Sequence, residues 1–184
     1  MRVWLLFIFL CTAVAATTDP PWKNPEYETM QNITKVLGAA YTTYFVYEGT
    51  FGKDILIKKS VFCIIMRITD YSYGSGVAFR KYREQVEQPE QEIGLYLSPQ
   101  EGPGYHVSNL MKVDDDVYLE EVAKMYLVYS DYSGCALFYY GEEDDYELWL
   151  YQKPKADGFA SACELLLALL SEKPRNVYYT SDCS

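Results

Sequence analysis

The chain has 184 residues and a formal net charge of −10, with 26 acidic against 16 basic side chains. That length suits one domain with a substantial core. The acidic surface disfavours nucleic-acid binding and attracts cations towards any opening. The single histidine, His106, has no free cysteine partner, and no serine stands in a nucleophile motif, so we do not expect an enzyme.

The first sixteen residues have the layout of a secretory signal peptide. Arg2 precedes the apolar run 3–10, and small residues follow in 13–16. The run is shorter than the roughly 20 residues that span a bilayer, which argues against a transmembrane anchor. We therefore predict cleavage after Ala16, secretion to the extracellular space without membrane attachment, and a single domain over 17–184.

Four cysteines remain in the predicted mature chain: Cys63, Cys135, Cys163 and Cys183. An even number in a secreted protein indicates two disulfides. A zinc site is the competing interpretation, but no two of these cysteines are close in sequence and there is one histidine. The spacing leaves all three possible pairings open.

A helix is predicted near the start of the mature chain. Asn24 can cap it, Pro25 is tolerated in its first turn, and Gly38 offers a stop. The triplet that begins at Asn32 is a candidate N-glycosylation site, on the helix face opposite the apolar stripe.

Short stretches rich in Tyr, Val, Ile and Phe then alternate with turn-forming residues, and we predict strands near 41–51, 61–69, 76–83, 91–98, 104–112, 117–121, 123–129, 135–140 and 145–152. Eight or nine such strands indicate a sandwich or an up-and-down barrel. The apolar period becomes helical over 159–170, and this stripe must lie on the outside of the barrel. The predicted fold is all-β: an eight-stranded antiparallel up-and-down barrel with an N-terminal and a C-terminal helix packed on it.

Several segments resemble the tick histamine-binding lipocalins. Cys135–Leu137, Tyr146–Trp149 and Cys163 are similar to the cysteine/Glu-Leu-Trp/cysteine signature of that family. The ending Arg175–Cys183 resembles its closing segment, and the stretch from Tyr44 to Cys63 its first strand and following hairpin. The resemblance implies a lipocalin barrel and the disulfides Cys63–Cys183 and Cys135–Cys163.

The resemblance also implies a ligand site inside the barrel. It places Asp54 and Glu147 on carboxylates that bind an amine, with Trp149 adding cation–π attraction. Strand alternation alone would turn Glu147 towards water, and Asp54 taken alone is typical of a turn.

The chain departs from the family at other pocket positions. Phe51 stands where the family has a tyrosine and Ile57 where it has a tryptophan. Two acidic positions fall on Ala39 and on Met125 or Tyr126. Because each lost charged hydrogen bond weakens binding by roughly 1.5–3 kcal/mol, this cavity favours an aromatic monoamine such as serotonin, or a lipid mediator, over histamine.

The leading hypothesis is therefore a secreted, monomeric scavenger of a biogenic amine, which by resemblance blunts host inflammation where a tick feeds. It needs no cofactor and no metal, since the acidic runs 114–116 and 142–145 lack the alternating ligands of a calcium loop and are typical of hairpin turns. One alternative is a carrier of a leukotriene or fatty acid. Another is an inhibitor of a host protein, such as a complement component, through surface loops.

Overall fold

The computed structural model describes residues 20–38, 41–85, 87–154 and 161–183. The predicted signal peptide and Ala39 lie outside this range. The strands are β1 Thr43–Gly49, β2 Phe62–Ser72, β3 Ser75–Arg83, β4 Gln91–Glu101, β5 Ser108–Asp115, β6 Glu121–Ser130, β7 Cys135–Tyr140, β8 Asp145–Leu150 and β9 Asn176–Val177. Two helices, α1 Ile33–Leu37 and α2 Ala162–Leu170, and two 3₁₀ turns, Pro21–Lys23 and Pro25–Met30, complete the described elements.

Strands β1 to β8 form a closed antiparallel barrel, which confirms the predicted fold. Each strand from β2 to β8 pairs with the next in the chain, and β1 pairs with both β8 and β2. In the closing registers Val46 lies opposite Trp149, and Tyr44 lies opposite Met66. Closure leaves no free barrel edge among these eight strands, and the short β9 adds to β1 near Gly49.

One predicted strand is wrong. The stretch 117–121 is not a strand, because residues 116–120 form the turn that leads into β6, whereas the predicted stretch 123–129 lies within β6. The Asp115 carboxylate accepts hydrogen bonds from the backbone N–H groups of Val117 and Tyr118, both at 2.9 Å. This side-chain contact stabilises a turn where the β-rich composition favoured a strand.

The side chains of β8 alternate between two buried layers. Glu147 and Trp149 face the interior of the barrel, while Tyr146, Leu148 and Leu150 face outwards under α2. One face of a barrel strand usually meets water, but Leu167 and Cys163 of α2 cover the outward face of β8. The whole of Tyr146–Leu150 is consequently buried.

The C-terminal helix lies on the outside of the barrel, as predicted. Its N-cap is Ser161, whose side chain and that of Glu164 form a reciprocal capping box with the backbone. Two disulfides are present: Cys135–Cys163 joins this helix to β7, and Cys63–Cys183 joins the tail to β2. These are the pairs that the resemblance implies.

The N-terminal helix is interrupted and reaches the interior core. Asn24 caps its 3₁₀ turn, but the chain leaves the helical path at Gln31 before α1 begins. The buried Gln31 amide donates to the carbonyl of Val128, which fixes the break. Beyond it, the side chains of α1 pack with the barrel interior, and Tyr44 donates its hydroxyl hydrogen to the carbonyl of Val36.

The opposite end of the barrel is covered by the connection between β1 and β2. Phe51, Ile55, Leu56 and Val61 of this connection are buried in the interior core. We call residues 50–61 the mouth segment. Within the described residues, no helix is long and apolar enough to cross a membrane.

Candidate ligand-binding site

Three charged side chains meet in the interior of the barrel. Asp54 comes from the mouth segment, Arg80 from β3 and Glu147 from β8, and at most 2% of each residue is exposed. The Arg80 Nε atom lies 2.9 Å from Asp54 Oδ2, and its Nη1 and Nη2 atoms each lie 2.9 Å from a Glu147 oxygen. Nη2 also donates to Asp54 Oδ2. We call these three residues the charge cluster.

Neutral donors complete the hydrogen bonding of the two carboxylates. Asp54 Oδ1 accepts from the backbone N–H groups of Leu56 and Ile57, both at 2.9 Å. Glu147 accepts from the Tyr140 hydroxyl at 3.0 Å and from the indole N–H of Trp149. Burial of these polar atoms is tolerated because every carboxylate oxygen has a partner.

The surroundings fix the charge of Arg80 and of the neighbouring Tyr140. Burial lowers the pKa of Arg80, but the charges of Asp54 and Glu147 outweigh that effect and raise this pKa above the usual arginine value. The guanidinium is therefore charged. Burial and the charge of Glu147 raise the pKa of Tyr140 well above the usual range, so this phenol remains a neutral donor.

Aromatic rings surround the charge cluster. Phe51 stacks on Tyr178 with ring centroids 4.6 Å apart and meets the edge of Tyr140 at 6.3 Å. Trp149 packs against Phe138 at 4.4 Å. These rings make the surroundings of the charge cluster apolar, and their negative faces suit an aromatic or cationic group.

A depression of about 460 Å³ opens at the mouth segment and reaches Asp54 and Phe51. Its volume lies in the range of small-molecule sites. Acidic and basic side chains line it in equal number: Asp54, Glu143 and Asp145 against Lys53, Lys58 and Lys173. The charge cluster is thus closest to solvent from this side.

The five residues predicted for the ligand site come together at this end of the barrel. Asp54, Phe51, Glu147 and Trp149 are buried, and Ile57 is partly buried against the same core. Alternation alone would have turned Glu147 to water, but its face of β8 is the interior one.

Sequence reasoning missed Arg80, which bridges the two carboxylates. A signal was present in β3, where Ala78, Arg80 and Tyr82 alternate on one face and are all buried. An arginine between two inward-facing residues indicates a buried charge in need of partners.

Other candidate sites lie away from this cluster. Asn32 occupies the N-cap position of α1, where its Oδ1 accepts a hydrogen bond from Thr34 at 2.5 Å. The acidic runs 114–116 and 142–145 lie at the hairpin turns after β5 and β7. Among the described residues, no group of three acidic, histidine or cysteine side chains is placed to hold a metal ion.

A sequence model of the tick histamine binding protein family matches residues 22–184. The chain belongs to this family. The match spans the barrel, both helices, the four disulfide-bonded cysteines and the charge cluster. No curated protein sequence matches the chain closely enough to count as a relative.

Solved structures of similar fold include two that hold a small molecule. AM182 in complex with serotonin has a TM-score of 0.58 at 13% identity, over 83% of this chain and 92% of AM182. Japanin from Rhipicephalus appendiculatus, bound to cholesterol, has a TM-score of 0.55 at 13% identity, over 76% and 92%. Apocrustacyanin C2 has a TM-score of 0.59 at 12% identity, over 85% and 84%. These likenesses show that the chain has a lipocalin-like barrel fold.

Proposed function

We propose that this member of the family is a secreted, monomeric scavenger that holds an amine with one positive charge in its barrel. The observation that carries the proposal is the charge cluster, in which two buried carboxylates face one guanidinium. The cluster keeps one surplus negative charge. A protonated amine supplies the missing positive charge.

The energetics favour a cationic ligand at this position. A buried net charge costs several kcal/mol unless it is compensated, and the neutral donors around Asp54 and Glu147 compensate only part of it. An ammonium group close to Asp54 gains Coulomb attraction in a region of low dielectric. The ring faces of Phe51 and Trp149 add cation–π attraction.

The walls of the site favour an aromatic body on that amine. Phe51 lines the depression that reaches Asp54, and its ring contacts the buried rings of Tyr140 and Tyr178. A monoamine such as serotonin combines one ammonium with such a ring. Removal of this amine from host tissue at a feeding site would blunt inflammation.

Isothermal titration of Glu147→Gln with serotonin tests the proposal. The substitution keeps the shape and removes the surplus charge, so affinity should fall by roughly 1.5–3 kcal/mol, or about 10- to 150-fold. Glu92→Gln is the matched control, because Glu92 is exposed on β4 and takes no part in the site. Unchanged serotonin affinity in Glu147→Gln, or no serotonin binding by the natural protein, would refute the amine proposal.

A lipid mediator is the second candidate, and two observations favour it. The interior contains Met66, Met111 and Met125, flexible side chains that can adapt to an apolar tail. The depression is lined by Lys53 and Lys58, which attract a carboxylate head group. For a leukotriene, Glu147→Gln should leave affinity unchanged or raise it, because Glu147 repels a carboxylate. The same titration with leukotriene therefore separates the two candidates.

A further inference from the structure

We infer that Arg80 sets the charge of the ligand: it limits the barrel to amines with one positive charge and excludes those with two. The inference rests on the proposed amine-binding function and adds a residue that determines its specificity. It follows from the count of charges and from the contacts that Arg80 makes.

Arg80 occupies hydrogen-bonding positions of the two carboxylates that would otherwise be open to a ligand. It makes four hydrogen bonds, two to Asp54 and two to Glu147, and neither partner is solvent-exposed. Without the guanidinium the interior would hold two negative charges and would accept two ammonium groups. With the guanidinium in place, one ammonium group neutralises the charge cluster.

A second positive charge on the ligand would meet repulsion. After one ammonium has balanced the charge cluster, another has no free counter-charge there and faces the guanidinium itself. The depression does not supply one, because apart from Asp54, which belongs to the charge cluster, it has two acidic side chains against three lysines, and Lys173 is paired with Asp145 at 3.0 Å.

Two amines built on a benzene ring test the limit of one positive charge. Benzylamine carries one positive charge at neutral pH, and 1,3-bis(aminomethyl)benzene carries two. Their affinities are measured by titration against the natural protein and against Arg80→Gln, Arg80→Lys and Arg80→Gln/Asp54→Asn. Thermal unfolding of each variant checks that it is folded.

The preference for the monoamine over the diamine should follow the net charge of the charge cluster. The natural protein should prefer the monoamine by about tenfold or more, the effect of one partly buried charge contact. Arg80→Gln should abolish or reverse the preference, whereas Arg80→Lys, which keeps the charge, should retain it. In Arg80→Gln/Asp54→Asn the net charge is again −1, so the monoamine preference should return.

Any other outcome contradicts either the role of Arg80 or the proposed function. A folded Arg80→Gln with the same preference as the natural protein overturns the role of Arg80. If Arg80→Gln does not fold, the double variant decides, since it removes the unpaired carboxylate; preference for the diamine there overturns the inference. If the natural protein binds neither probe nor serotonin, the proposed function itself fails.

Discussion

The Asp131 carboxylate organises the turn between β6 and β7. Its Oδ1 atom accepts from the backbone N–H groups of Ser133, Gly134 and Cys135, at 3.0, 2.7 and 3.0 Å. Burial raises the pKa of Asp131, but these backbone donors outweigh it, and the pKa lies below the usual aspartate value. The carboxylate therefore stabilises the folded state in its charged form.

A dependence of stability on pH follows from that shift. Because the folded pKa is depressed, the contribution of Asp131 is fully present above the unfolded pKa, near 4, and is lost as pH falls through the lower folded pKa. The difference in unfolding free energy between the natural protein and Asp131→Ala should be constant from pH 7 to about 5 and shrink below about 4. Urea titrations at each pH measure it. A difference that grows on acidification would contradict the assignment.

Residue chemistry also explains why the inside of this barrel tolerates charge. Glu147 is compensated by Arg80, Tyr140 and Trp149 together, and Asp54 by Arg80 and two backbone N–H groups. Removal of one partner leaves the others buried and unmatched. The charge cluster consequently ties three separate parts of the chain to one another.

At the scale of elements, α2 is apolar on more than the face it buries. Leu167 is fully buried against β7 and β8, while Leu165 and Leu169 are 64% and 72% exposed. The two faces of one short helix therefore offer a matched comparison.

Leu167→Ala should lower the free energy of unfolding by roughly 2–4 kcal/mol, because it removes buried methyl groups and leaves a cavity. Leu169→Ala makes the same chemical change on the exposed face and should alter stability by about 0.5 kcal/mol or less. Chemical denaturation of both variants checks the difference. Equal losses would mean that α2 does not pack on the barrel as described.

At the scale of the whole molecule, the disulfide Cys63–Cys183 links residues 120 apart in sequence, whereas Cys135–Cys163 links residues 28 apart. In the chain-entropy model the longer loop contributes about 5 kcal/mol and the shorter one about 3.5 kcal/mol. The Cys63→Ser/Cys183→Ser variant should therefore lose more stability than Cys135→Ser/Cys163→Ser. Calorimetry of the two double variants tests the order, and a reversed order would show that local packing outweighs chain entropy.

Local pattern in the sequence was enough for most of the architecture. Period-two stretches predicted all eight barrel strands within a few residues, with one extra strand at 117–121, and the change to a helical period predicted α2. The Asp115 carboxylate stabilises a turn between β5 and β6 where a further strand was predicted. Such features depend on residues close in the chain, so they can be read without the fold.

The charge cluster was decided by tertiary structure. The resemblance pointed to Asp54 and Glu147, but their common partner Arg80 lies 26 and 67 residues from them. Only closure of the barrel makes the Arg80 face of β3 an interior surface opposite β8, and only the covering helix α2 buries both faces of β8. The sequence by itself determined the strands, the outer helix and the even number of cysteines, because those follow from local periodicity and composition, while the family resemblance implied the lipocalin barrel and the cysteine pairs. The sign and number of the charges left uncompensated inside the barrel depend on which distant side chains meet. Only the folded chain determines those contacts.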